Sequence, residues 1–160
     1  MKGKTLRRAL AFMSALMVSG CGIPGPGGPG SGYSVSINSW NISSTNLNPA
    51  DSFTVQWSVS FNAPLYRAEA FITPTNTQSP DSQYQLFGLN CGGSFSPCGT
   101  SGSISCTYVE RTSTDLRFTC GTDNVTIPVT GTNLYIVFRA CVYEGLDYKC
   151  DTRVRPITVN

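Results

Sequence analysis

Residues 53–61 alternate strictly between apolar and polar side chains. A period of two is typical of a half-buried β-strand, since successive side chains on a strand point to opposite faces. Further alternating runs, separated by turn residues, cover residues 33–42, 66–72, 84–89, 103–110, 116–120, 125–129, 134–143 and 148–159. No window has the spacing of an amphipathic helix. The pattern predicts an all-β domain over residues 33–160, an antiparallel sandwich of seven to nine strands.

Two features of this region have a counterpart in a known class of domain. They are the Pro49-Ala50-Asp51 turn that leads into the strand bearing Trp57, and the final hairpin bearing Tyr135. Both resemble features of immunoglobulin-like and fibronectin type III-like modules of bacterial surface proteins. The resemblance implies an immunoglobulin-like sandwich, and it carries no function with it because such folds host many activities.

Six of the seven cysteines fall between positions 91 and 150, which indicates disulfides and an oxidising compartment. Gly145-Leu146 suits a two-residue type II′ turn, and that turn places Cys141 opposite Cys150 at a non-hydrogen-bonded pair, where Cα atoms are closest. A hairpin turning at residues 112–114 pairs Cys106 with Cys120 and places Tyr108 opposite Phe118. By elimination, Cys91 joins Cys98. Metal or redox chemistry is the alternative for these cysteines, but the chain has no C-x-x-C pair and no histidine.

The first twenty residues predict an export signal. Lys2, Lys4, Arg7 and Arg8 precede ten largely apolar residues, 9–18, and two small residues, Ser19 and Gly20, follow. As a helix, ten residues span about 15 Å, which is too short to cross a bilayer. The flanks of Arg7-Arg8 match a twin-arginine signal poorly, so we expect ordinary export.

Val18-Ser19-Gly20-Cys21 resembles the lipobox of bacterial lipoproteins, with valine where leucine is commoner. The resemblance implies that the Cys21 sulfur is alkylated with diacylglycerol and that the signal is cut before it. It implies location in the cell envelope, and Gly22 favours the outer membrane over the inner one in a Gram-negative host. The alternative is a plain secretory signal with Cys21 as a seventh disulfide cysteine.

The eleven residues after Cys21, 22–32, contain six glycines and three prolines and have no periodic apolar pattern. Such a segment cannot bury enough surface to fold, and we expect residues 21–32 to form a lipidated tether. Fully extended, it reaches roughly 35 Å, and a typical end-to-end distance is about 20 Å.

Charge argues against a nucleic-acid partner. The whole chain has a net charge of +2, but without residues 1–20 seven cations remain against nine acids, a net charge of −2. Nucleic-acid binding needs a clustered basic face.

We expect no enzyme activity, no cofactor and no metal. The lack of histidine excludes serine–histidine and cysteine–histidine catalysis. Most acids fall at turns, and Glu69 beside Arg67 on one strand is expected to face water as an exposed ion pair. Clustered oxygens near Asp123 or Glu144 match no calcium loop. A hydrolase with two carboxylates is the alternative, and it would need both acids in one cleft.

Two surfaces are candidates for recognition, and cross-strand packing or loop bracing is the alternative interpretation of both. One is the 91–98 loop with Phe95; the other is the tip of the last hairpin with Tyr143, Leu146 and Tyr148, where tyrosines offer large contact area at low entropic cost. The sequence therefore predicts an envelope lipoprotein, anchored to a membrane through Cys21, that acts as a binding or structural accessory. An envelope protein or a surface glycan is the expected partner. The alternative is a subunit of a larger envelope assembly or filament that pairs through edge strands.

Overall fold

The computed structural model describes residues 32–93, 97–144 and 147–160, and for Glu144 and Asp147 the description covers the backbone alone. The predicted signal (1–20), Cys21, the tether up to residue 31, Phe95 and Leu146 lie outside the described residues. The chain divides into two units, residues 1–31 and residues 32–160. Every described strand belongs to the second unit.

Ten strands and one short 3₁₀ helix make up the described part of this unit. The strands are β1 (Val35–Ile42), β2 (Asn46–Leu47), β3 (Ser52–Phe61), β4 (Tyr66–Thr73), β5 (Gln85–Cys91), β6 (Ser101–Arg111), β7 (Leu116–Cys120), β8 (Asp123–Ile127), β9 (Asn133–Glu144) and β10 (Asp147–Val159). The helix, Ser82–Tyr84, lies between β4 and β5, and Asp81 caps it by accepting a hydrogen bond from the Gln83 amide.

The strands form two five-stranded sheets. The first has the order β1-β3-β6-β7-β8 and the second β2-β10-β9-β4-β5. All pairs are antiparallel except β2 with β10, which is parallel. The predicted all-β sandwich is confirmed, with ten described strands instead of seven to nine. The additional strand is the dipeptide β2, which is too short to show a period in the sequence.

The sandwich differs from an immunoglobulin domain in two respects. In an immunoglobulin domain the outer strand D precedes strand E, which pairs with strand B. Here β6 pairs with β3, and the outer strands β7 and β8 follow it in the chain. The immunoglobulin disulfide also joins the two sheets, whereas Cys106–Cys120 lies within the first sheet and Cys141–Cys150 within the second.

Aromatic rings fill the core between the sheets. Trp57 is almost fully buried, with its ring centroid 5.3 Å from that of Phe138 and 5.8 Å from that of Phe87. Its indole lies across Gly102, the residue paired with it on β6, where an added Cβ would be 2.2 Å from the ring. Any larger residue at position 102 would therefore displace the central tryptophan.

Side chains of β10 close one open corner of the sandwich. The backbone N–H of Ile37 on β1 donates to Asp151 Oδ2 at 2.8 Å, and a guanidinium N–H of Arg153 donates to the Ile37 carbonyl at 3.3 Å. Arg155 stacks over the Trp40 ring at 5.1 Å. These side chains occupy part of the β1 edge that no strand covers, and they leave a groove of about 340 Å³ between β1 and β10.

Candidate functional site

The hairpin β9–β10 has the register predicted from its turn and cysteines. Tyr143 pairs with Tyr148, and Cys141 pairs with Cys150 two residues further from the turn. The two cysteines form a disulfide with a Cα–Cα distance of 4.1 Å. Because residues two apart on a strand share a face, the tyrosines and the disulfide lie on the same side of the sheet. The hairpin is thus covalently closed directly beneath its tyrosine pair.

Both tyrosines face away from the core. The side chains on the opposite face of β9 belong to the core cluster: Leu134, Ile136, Phe138, Ala140 and Val142. Tyr143 is 52 % exposed and Tyr148 is 60 % exposed, with ring centroids 6.2 Å apart. Two neighbouring tyrosine rings on strands joined by a disulfide form an exposed surface that is largely apolar and carries two hydroxyl groups.

Leu65 lies at the same end of the sheet. Arg67 on β4 pairs with Cys141, and in this antiparallel pairing Leu65 and Tyr143 each lie two residues from that pair in the same direction. Leu65 is 50 % exposed, whereas the next residue, Tyr66, is buried in the core. We name Leu65, Tyr143 and Tyr148 the outer apolar patch. Sequence reasoning missed Leu65, although its place just before the core-facing Tyr66 signalled an outward side chain.

The 91–98 loop, which a disulfide closes, lies at the same end of the second sheet. Cys91 pairs with Tyr66 and is disulfide-bonded to Cys98, as predicted. The Gly92 N–H donates to the Cys98 carbonyl at 2.7 Å. Gly92 and Gly93 have φ angles of +89° and +77°, a region that side chains disfavour, so the chain can reverse here. An added Cβ at Gly93 would lie 3.3 Å from Leu65 Cδ2, which places the loop against the outer apolar patch.

The chain enters the domain at this same end. The Ser34 N–H donates to Asn62 Oδ1 at 2.6 Å, and the Asn62 N–H donates to the Ser34 carbonyl at 3.2 Å. Asn62 belongs to the loop that joins β3 to β4, three residues before Leu65. We call this the near end of the sandwich. Ser34, near the start of the described residues, therefore lies at the end that carries the outer apolar patch.

The opposite, or far, end is polar and closed by the C-terminus. The Tyr108 hydroxyl donates to the Asn160 carbonyl at 3.0 Å, and the Arg111 guanidinium donates to the carbonyls of Thr130, Gly131 and Val159. The Asn160 side chain donates to Asn46 and Asn48. The two ends thus present different chemistry, apolar at the near end and hydrogen-bonded at the far end.

The expectation that Glu69 faces water is wrong. Glu69 is 6 % exposed: Oε1 accepts from Arg67 Nε at 2.8 Å and from Gln85 Nε2 at 3.1 Å, and Oε2 accepts from Arg139 at 2.7 and 3.0 Å. Sequence reasoning found Arg67 because it is two residues away, and it missed Arg139, which is 70 residues away. An added Cβ at Gly88 would lie 2.7 Å from the Arg67 guanidinium, so the glycine leaves room for this cluster. Glu69 is fully engaged in structural hydrogen bonds.

Other acids are also held by local partners. Asp51 accepts from the Asn48 backbone, Asp115 from threonine hydroxyls, and Glu110 from Arg117. Within residues 32–93, 97–144 and 147–160, no three histidine, cysteine or acidic side chains cluster in a way that could hold a metal ion. In the same residues no helix has both the length and the apolar character needed to span a membrane.

The structure brings together two of the four predicted surface residues, Tyr143 and Tyr148, and adds Leu65. Phe95 and Leu146 lie outside the described residues. No protein-family model matches the chain, and the comparison with curated proteins finds no match.

Proposed function

We propose that the protein is an exported lipoprotein of the cell envelope, held on a membrane by lipid at Cys21, and that its sandwich is a non-enzymatic binding or structural accessory. Residues 1–20 are its signal, and residues 21–32 are the lipidated cysteine with its tether. The tether raises the local concentration of the domain near the membrane to the order of millimolar.

One observation carries this proposal. Six of the seven cysteines are paired within the domain, as Cys91–Cys98, Cys106–Cys120 and Cys141–Cys150. Cys21 is the seventh, so no cysteine of the chain remains to pair with it, and it stands in a lipobox-like motif after an export signal. Two or three acyl chains on one residue anchor a protein stably, whereas a single chain holds it only marginally.

The chemistry of the domain supports a non-enzymatic role. The chain has no histidine, and the acids at positions 51, 69, 110, 115 and 151 accept hydrogen bonds from neighbouring backbone or side-chain groups. A general acid or base needs a perturbed group that faces a substrate. The exposed apolar residues at the near end are better suited to contact than to catalysis.

Mass spectrometry of the membrane-purified protein tests the anchor. The expected N-terminal peptide begins at Cys21 and carries the mass of attached acyl chains. Cys21→Ser should move the protein to the soluble fraction, whereas the control Ser19→Ala, which keeps a small residue in the motif, should leave it acylated. Wild-type protein that is released with an unmodified Cys21, or a Cys21→Ser variant that stays bound to the membrane, would contradict the proposal.

The rival function is a subunit of an envelope assembly that pairs through edge strands. In the first sheet the two edge strands are β1 and β8, and side chains of β10 already occupy the β1 backbone at Ile37. Strand addition would therefore use β8 in the first sheet, or β5, the longer edge strand of the second sheet. Chemical crosslinking of envelopes followed by size-exclusion chromatography tests it: a strictly monomeric protein with no crosslinked neighbour would exclude the assembly.

A further inference from the structure

We propose that the outer apolar patch, Leu65, Tyr143 and Tyr148, is a membrane-contact surface that rests on the phospholipid interface next to the anchor. The inference rests on the proposed lipid anchor at Cys21 and assigns the near end of the sandwich its ligand.

The distribution of exposed apolar side chains supports this proposal. The exposed large hydrophobic residues of the described chain are Leu65, Val109, Tyr143 and Tyr148. Tyr143 and Tyr148 are paired on β9 and β10, and Leu65 directly precedes β4 at the same end of the second sheet, so they form a patch, whereas Val109 lies on β6 of the first sheet. Single exposed apolar residues are ordinary, but a rigid cluster of them marks a contact surface.

The position at which the chain enters the domain also supports the proposal. Ser34 is hydrogen-bonded to Asn62 at the near end, and the eleven residues 22–32 separate this end from Cys21. A glycine-rich segment of that length has a typical end-to-end distance of about 20 Å. Strand β9 has twelve residues and is about 40 Å long. The anchor therefore holds the near end close to the bilayer surface, while the far end can extend away from it.

The chemistry of the two tyrosine side chains also favours a lipid surface. Tyrosine has an apolar ring and a polar hydroxyl group, and it is enriched at membrane–water interfaces, where one end of the side chain is apolar and the other is wet. The acids Glu144 and Asp147 flank the tyrosines in sequence, Lys149 follows them, and Arg67 is already paired with Glu69, so this part of the chain has no excess of positive charge. Attraction to anionic lipid is therefore not the driving force, and the partner is a zwitterionic phospholipid surface.

The covalent anchor makes a weak contact sufficient. A patch of three side chains would bind free vesicles poorly, because few apolar groups are buried and no electrostatic attraction adds to them. Once the chain is anchored, the contact becomes intramolecular, and its effective concentration is of order millimolar. The patch would then orient the domain, with the far end and its polar surface directed away from the membrane.

Tryptophan fluorescence of the full-length acylated protein tests the contact. Tyr143→Trp places a reporter in the patch, and Val109→Trp is the matched control, since Val109 is also half-exposed but lies next to Tyr108, whose hydroxyl bonds the C-terminal residue at the far end. Each variant is reconstituted in phosphatidylcholine vesicles with brominated acyl chains. An interfacial side chain lies about 5–10 Å into the headgroup boundary, so the added emission at position 143 should be quenched at least about two-fold more than that at position 109.

Each outcome decides the inference. Stronger quenching at position 143, unchanged in high salt, supports the contact. Equal quenching in vesicle-bound, acylated protein overturns it and leaves the anchor proposal intact, as does specific crosslinking of position 143 to an envelope protein or glycan. Failure to float with vesicles, with Cys21 unmodified, overturns the anchor and the contact together. Leu65→Trp is a second reporter in case Tyr143→Trp does not form its three disulfides.

Discussion

Two hairpins of this domain carry the same pattern of side chains on opposite sides of their sheets. In β6–β7 the disulfide Cys106–Cys120 is followed two residues nearer the turn by the pair Tyr108–Phe118. In β9–β10 the disulfide Cys141–Cys150 is followed in the same way by the pair Tyr143–Tyr148. The first set faces the core and is fully buried, while the second set of aromatic residues is more than half exposed.

The difference shows that the alternate residues of each strand decide which face is buried. On β6 the residues that alternate with Cys106 are the polar Ser103, Ser105 and Thr107, so the cysteine and the tyrosine turn inward. On β9 the alternate residues are entirely apolar, from Leu134 to Val142, and they occupy the core instead. The same local pattern therefore stabilises the core in one hairpin and builds a surface in the other.

The sharpest test of this comparison is truncation of one aromatic residue in each hairpin. Phe118→Ala should lower the free energy of unfolding by about 3–5 kcal/mol, because it leaves a cavity in the core. Tyr148→Ala should change it by no more than about 0.5 kcal/mol, because the ring is largely exposed. Urea unfolding measures both values, and similar losses would mean that the outer pair is also a packing element.

The disulfides give the second test. The loops they close separate the cysteines by 14 and 9 residues, so the chain-entropy terms are similar, about 3 and about 2.7 kcal/mol. Cys106→Ala/Cys120→Ala removes two cysteines of the core cluster, whereas Cys141→Ala/Cys150→Ala removes one buried and one exposed cysteine outside it, so the first change should cost about 1–2 kcal/mol more. Equal losses would show that burial of the inner disulfide adds nothing to loop closure.

The ion pairs of the two hairpins differ in the opposite sense, and we expect them to change the free energy of unfolding less. Glu110–Arg117, on the β6–β7 hairpin, is an exposed pair, whereas Arg139 of the β9–β10 hairpin binds the buried Glu69. Glu69→Gln leaves two guanidinium groups without their carboxylate and should cost about 1–3 kcal/mol. Glu110→Gln, the matched control, should stay within about 0.5 kcal/mol. Thermal unfolding compares the two variants, and an effect at position 110 equal to that at position 69 would contradict the burial argument.

The smallest predicted effect is the pH dependence of stability that arises from Tyr66 in the core. Burial raises the pKa of Tyr66 above its usual value of 10, while the hydrogen bond donated by Trp57 Nε1 at 3.0 Å acts in the opposite direction. The unfolded chain loses this proton first as the pH rises, so the folded state loses stability above about pH 10, at no more than about 1.4 kcal/mol per pH unit.

Tyr66→Phe should remove that part of the alkaline loss, because phenylalanine has no proton to release. Unfolding measured from about pH 9 to pH 11 isolates the effect as the difference between the two proteins. A parallel pH dependence in wild type and Tyr66→Phe would show that Tyr66 makes no contribution to the alkaline loss.

Local pairings could be predicted from the sequence because they are set by short-range rules. The turn predicted from the sequence between β9 and β10 gave the register that these strands have, and the three disulfides follow from two such registers and elimination. The pairing of β3 with β6, which places β6, β7 and β8 in the first sheet, could not be predicted, since it joins residues as distant in sequence as Ser52 and Thr107. The dipeptide β2 has no period to detect, and the Glu69–Arg139 pair joins residues 70 positions apart.

Only part of the candidate site could be predicted from the sequence, for the same reason. The two tyrosines were found because they flank a recognisable turn and a cysteine pair. Leu65 was missed because its place at the same end as Tyr143 depends on the pairing of β4 with β9, which no local signal encodes. The entry of the chain at the same end is likewise a property of the fold, set by the pairing of β1 with β3.

The contact of Asp151 and Arg153 with the Ile37 backbone has a consequence for behaviour at high density. An edge strand with free N–H and C=O groups is a template onto which another chain can add, and this is a common route to aggregation. At Ile37 that template is occupied by an acceptor and a donor from the same molecule. Crowded copies of this protein would therefore meet at β1 a strand whose hydrogen-bonding groups are already partly in use.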